Sequence, residues 1–146
     1  MTYMDKEQLK LHTIDQLSSE TIGFDILKYV CLPNMLGTEK DAILYFSGRD
    51  LARNIEITSL DDLIYLFEKF RWGKLELVKQ KKHELIFHLM SDDIVHRLRS
   101  PLDVDFRMEA GFIAEMIQRI HGRHCEAAEK VNEKLYRVQF QVVFTD

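Results

Sequence analysis

The chain has 146 residues, 46% of them hydrophobic and 30% charged, with a formal net charge of -4. That balance suits one globular domain, and the acidic excess argues against broad electrostatic binding of nucleic acid, which needs a basic face. Two cysteines, Cys31 and Cys125, argue against a disulfide scaffold and predict free thiols.

Residues 1–17 are polar with scattered leucines and predict an arm or a loosely docked helical turn, leaving 18–146 as a single domain. They hold no apolar core of the signal-peptide type, and no apolar run approaches the ~20 residues of a membrane span. A cytoplasmic protein is expected.

Ser18 or Ser19 can cap a helix reaching to about Leu32, with Ile22, Ile26, Tyr29 and Val30 on one stripe. Pro33 is expected to end it, because the residue before a proline is pushed out of the helical region. A loop through Gly37 follows. Thr38 with Asp41 suggests the cap of a second helix running to about Ile55, with Leu44, Gly48, Leu51 and Ile55 on one side. Arg49 and Arg53 lie four apart on a neighbouring stripe. Ser59 caps a third helix, in which Leu63, Leu66, Phe67 and Phe70 recur at helical spacing, and Trp72-Gly73 closes it.

The period then drops from 3.6 to 2. Leu75 and Leu77, then Leu85, Phe87 and Leu89, alternate on either side of Lys81-Lys82 and predict a hairpin. Ser91 starts a short helical piece that stops before Pro101. Asp103 or Asp105 is expected to cap the central helix, Phe106 to Ile120. Phe106, Ala110, Ile113, Ile117 and Ile120 form its apolar arc. Gly111 costs roughly 1 kcal/mol against alanine in a helix interior, so close packing by another backbone is expected there.

Residues 124–131 can be read as a strand alternating through Cys125, Ala127, Glu129 and Val131, or as a helical continuation. The strand reading is taken, because Tyr136, Val138, Phe140, Val142 and Phe144 alternate cleanly and that strand needs a neighbour. The expected architecture is α+β, with helices packed on one face of a small antiparallel sheet in the order α-α-α-β-β-α-β-β.

Several strings in this order resemble the YslB-like family of uncharacterised bacterial proteins. They are Leu32-Pro33, Met35-Leu36-Gly37, Gly48 with Leu51-Ala52-Arg53, Trp72-Gly73, Arg97-Leu98, and Glu109 to Glu115 followed by Ile117-Gln118. The resemblance implies a fold similar to the vinyl-reductase-type and TRAPP-subunit ligand-binding domains, some of which hold an apolar ligand or acyl chain between helices and sheet. Neither cysteine matches the acyl-bearing cysteine of TRAPP subunits. Tyr45, Ser47 and Arg49 also match the Y-x-S-x-R string of H-NOX haem sensors, distant relatives in fold. There the string follows an axial histidine, whereas here only His12 precedes it, so haem is not expected.

Glu109 stands out, because it falls inside the apolar arc of the central helix. It reads either as a buried acid facing a pocket or as a first-turn carboxylate paired with Arg49 or Arg53. Phe112, Ile113 and Met116 beside it, with Phe46 and Arg49 from the second helix, are the candidate pocket lining, although such aromatic residues more often form core. His121, His124 and Cys125 include zinc-ligand types but lack a fourth partner, and no metal or cofactor is expected. No nucleophile or base has a convincing partner, so an enzyme is not expected. Two functions remain: a non-catalytic module binding a hydrophobic small molecule, or a homodimeric interaction protein using apolar helix faces.

Overall fold

A computed structural model describes residues 10–146. It is an α+β domain whose helices pack against a four-stranded antiparallel sheet of order β1-β2-β4-β3. The strands are β1 (Lys74–Gln80), β2 (Glu84–Met90), β3 (Cys125–Asn132) and β4 (Arg137–Phe144). Both expected hairpins form, and they join along β2 and β4, where Phe87 pairs with Phe140. On the inner face Leu75, Leu85, Phe87, Leu89, Val138, Phe140 and Val142 are buried, while Gln141 and Val143 point outward. Period-2 alternation has this meaning on β4, where one face is in the core and the other in water; on β2 the outward Ile86 is buried as well.

The helix α7 (Arg107–His121) lies across the inner face. Every residue from Glu109 to Ile117 is buried, so neighbours surround this helix on all sides along that stretch. The expected central helix is therefore central. Asp105 does not occupy the cap position, which falls to Phe106, but its carboxylate accepts the Arg107 N–H at 3.2 Å.

On the far side of α7 lies α4 (Lys40–Arg53), and the two meet at glycines. A Cβ on Gly48 would overlap the Met108 carbonyl, and one on Gly111 would overlap that of Tyr45. This backbone-to-backbone approach is the packing that offsets the poor helix propensity of Gly111. The helix α5 (Leu60–Lys69) packs its Leu63 and Phe67 into the core, beside β1. Asp62 Oδ2 accepts the N–H of Thr58 and of Ser59, at 2.8 and 3.3 Å, which fixes the start of α5. The helix α6 (Asp92–Arg99) is capped as expected, with Ser91 Oγ accepting from Ile94 N–H.

The N-terminal elements depart from expectation. Of the arm, residues 1–9 lie outside the described residues, and α1 (Leu11–Asp15) is a single short helix. The helix α2 (Ile22–Ile26) does not stop at Pro33. It passes through a π-helical turn, Leu27–Cys31, directly into α3 (Leu32–Leu36). The reason is the register. Leu32 N–H bonds back five residues to Leu27, so Pro33 enters at the first turn of α3, where a missing N–H costs little. Gly37, at φ +70, ends the run instead. Thr38 falls within a 3-10 turn ahead of α4 and does not cap it.

Candidate functional site

The π-helical turn inserts one extra residue per turn and so shifts the helix phase. Within this segment Lys28 and Tyr29 point inward, 3% and 6% exposed, on the same face as buried Asp25, while Leu27 and Cys31 face outward. Lys28 Nζ reaches Glu109 Oε2 on the first turn of α7 at 2.8 Å, with both side chains almost wholly buried. The other carboxylate oxygen, Oε1, is also buried and has no hydrogen-bond partner among the described residues. Buried polar atoms are nearly always paired, so this carboxylate oxygen is a departure among the described residues.

Aromatic rings surround the pair. Lys28 Nζ lies 5.4 Å from the Tyr29 ring centre, 5.9 Å from that of Phe24 and 6.0 Å from that of Trp72. Trp72 in turn stands edge-on to Phe112 at 5.3 Å and to Phe70 at 5.1 Å. Burial and the nearby Glu109 carboxylate push the Tyr29 hydroxyl well above its ordinary range, so it stays protonated.

The segment from Ser19 to Leu36 is fastened to the domain by further charged contacts. Arg97 on α6 donates to Asp25 Oδ1 at 2.8 Å and to Thr21 Oγ1 at 2.5 Å. Asp93 accepts the Glu20 N–H at 3.2 Å and an Arg71 guanidinium N–H at 3.3 Å, and Arg71 also pairs with Glu20. Arg71 adopts a left-handed backbone, φ +59, to make this turn. Burial raises the Asp93 pKa, but the donated hydrogen bonds and the Arg71 and Arg97 charges outweigh it, and the carboxyl sits below its usual range.

A second polar cluster ties α4 to α7 and β3. Arg49 donates to Glu115 at 2.9 Å, to Glu126 at 2.8 Å and to the Cys125 carbonyl. Tyr45 donates to Glu126 at 2.6 Å and accepts the Ala127 N–H at 3.0 Å. Burial, with the hydrogen bond to Glu126, pushes the Tyr45 hydroxyl up to about 12. Among the described residues no buried side-chain polar atom of this cluster lacks a partner, so it reads as structural.

The candidate lining separates accordingly. Phe112, Ile113 and Met116 are fully buried on α7, and Glu109 and Arg49 take part in different ion pairs. Phe46 lies 61% exposed on the outer side of α4, beside Ile43 and Leu51. Glu109 pairs with neither Arg49 nor Arg53; both of those face Glu115 instead. Its partner, Lys28, lies on the same helical face as buried Asp25 and Tyr29, not on the expected stripe of Ile22, Ile26, Tyr29 and Val30, so the apolar pattern gave no signal for it. The His121 ring packs on Phe144, and Cys125 Sγ donates to the Ala114 carbonyl at 3.2 Å. Among the described residues no three His, Cys, Asp or Glu side chains converge on a point that a metal ion could occupy.

Residues 21–143 match the family described as "Protein of unknown function (DUF2507)". The chain belongs to this DUF2507 family. It is 31% identical over 137 residues to the uncharacterised protein YslB of Bacillus subtilis (strain 168), covering 94% of this chain and 93% of that one. It is 23% identical over 107 residues to the uncharacterised protein MJ1642 of Methanocaldococcus jannaschii, covering 73% of this chain and 65% of that protein. The family match takes in both halves of the site, from the π-helical turn to α7. Among the described residues no helix is long and apolar enough to cross a membrane.

Proposed function

We propose that the protein is a non-catalytic, cytoplasmic binding module of the TRAPP/H-NOX-like ligand-binding type, taking an apolar small molecule or acyl chain at the Lys28–Glu109 site. The observation that carries this reading is Glu109 Oε1, a buried acceptor without a donor among the described residues, set beside a cluster of aromatic rings. A site of that composition, mostly apolar with one or two polar groups that fix orientation, is the usual form of a small-molecule pocket. The π-helical turn adds support, since such turns gather at functional positions. The charged groups around it are engaged in holding α2 and the π turn to α6 and α7, which favours binding over chemistry. Native mass spectrometry of protein taken directly from cells tests the reading. A retained small molecule is expected. Protein that is empty in every preparation overturns it.

A second reading, a homodimer, draws on a different surface. Ile43, Phe46 and Leu51 on the outer side of α4 are 40%, 61% and 36% exposed and form an apolar strip. Sedimentation velocity across a wide concentration range tests it, and a monomer throughout removes it.

A further inference from the structure

We infer that the ligand of the Lys28–Glu109 site presents an uncharged hydrogen-bond donor, a hydroxyl or an amide N–H, at the end of an apolar body. This rests on the binding reading above and narrows it by charge. Glu109 already has its counter-ion, because Lys28 Nζ holds Oε2 at 2.8 Å with both side chains nearly sealed from water. The pair is therefore neutral as a unit. What it lacks, among the described residues, is one donor to Oε1.

Three head groups can be compared on that basis. A carboxylate head adds a second negative charge next to Glu109 and offers Oε1 no proton, so a free fatty acid anion is disfavoured twice over. An ammonium head offers a donor, but it leaves a net positive charge in a dry site beside the Lys28 ammonium. A hydroxyl or amide N–H satisfies Oε1 and leaves the charge balance untouched. A hydrogen bond to a charged acceptor is stronger than a neutral one, which gives the head group discriminating power. The body of the ligand meets Trp72, Phe70 and Phe24; the last two are partly exposed and stand at the outer edge of the cluster.

Trp72 is the single tryptophan of the chain, and its ring centre lies 6.0 Å from Lys28 Nζ, so its fluorescence reports on this site alone. The test titrates ligand-stripped full-length protein with decan-1-ol, its methyl ether, decanoate and decylammonium, each below its aggregation threshold. The alcohol is expected to bind at least about tenfold more tightly than the other three, the ratio that a single hydrogen bond to a charged acceptor supports. The double variant Lys28→Met with Glu109→Leu, which removes the pair without leaving a lone charge, should bind alcohol and ether alike. Equal binding of all four probes to the parent protein overturns the head-group inference and leaves the binding reading intact. Tightest binding by decanoate or by decylammonium does the same. An alcohol preference that survives in the double variant places the head group elsewhere and also overturns it. No response of Trp72 to any probe overturns both.

Discussion

Gly48 on α4 and Gly111 on α7 lie in reciprocal contact. Each glycine faces the backbone carbonyl of the residue three positions before the other: Gly48 faces Met108, and Gly111 faces Tyr45. Around each, the nearest backbone carbonyl carbon is 2.9 and 2.8 Å from where a Cβ would stand. The neighbours are backbone in two helices, not flexible side-chain ends, so neither helix can yield locally.

Gly48→Ala and Gly111→Ala are each expected to destabilise the protein by at least about 2 kcal/mol, although alanine is the better helix former by roughly 1 kcal/mol. Denaturant titration of the two variants checks this. An unchanged midpoint for either would mean that the helices are not in backbone contact.

The Lys28–Glu109 pair makes an asymmetric prediction. Lys28→Met alone leaves a carboxylate buried without a counter-ion and should cost about 3–5 kcal/mol. Adding Glu109→Leu should recover most of that loss, since the remaining site is apolar and surrounded by rings. Thermal or chemical unfolding of the single and double variants decides it; additive losses would contradict the geometry.

Arg49 should not tolerate lysine. Its two terminal nitrogens serve Glu115 on α7 and both Glu126 and the Cys125 carbonyl on β3. One ammonium cannot span that set, so Arg49→Lys is expected to cost about 2 kcal/mol. Equal stability in a denaturant titration would show that the bridging is dispensable.

The two thiols should differ sharply. Cys31 is exposed, while Cys125 is buried and burial pushes its thiol up to about 11. A thiol reagent at neutral pH is expected to label Cys31 quickly and Cys125 only on unfolding. The raised value also fixes a sign: the protonated thiol's contribution is complete below its ordinary 9.0 and is lost as pH rises toward 11. Rapid labelling of two thiols in the native protein would contradict this.

Acid should loosen the segment around Ser19 to Leu36. The folded-state pKa of Asp93 is lowered, so its contribution is present above the ordinary 3.8 and is lost as pH falls through the lower folded value. Amide exchange at Glu20, whose N–H Asp93 accepts, should accelerate beyond the intrinsic pH trend below about pH 4. Asp93→Asn should flatten that dependence, and an unchanged pH profile in this variant would remove Asp93 from the account.

Much of the fold was legible because it rests on periodicity. Val138, Phe140 and Val142 alternate because one sheet face is buried, and that pattern is written in the chain without reference to any other element. The anomaly of Gly111 was legible too, as a propensity cost that needs a close neighbour. The partner of Glu109 was not. Arg49 and Arg53 match Glu109 by charge, but pairing across helices depends on which face each helix turns, and this segment buries Asp25 and Lys28 while Ile22 and Ile26 stay half-buried.

The amino-acid sequence by itself determined the α+β class, the first hairpin, the final strand, the buried central helix and the family, since each depends on local spacing or on strings of residues. Only the tertiary structure decided that Gly48 meets Gly111, that the helix runs on past Pro33, and that Lys28 neutralises Glu109 on one oxygen while leaving the other bare. Spacing along one helix constrains its own faces; contact between two helices depends on their relative rotation, which spacing does not encode.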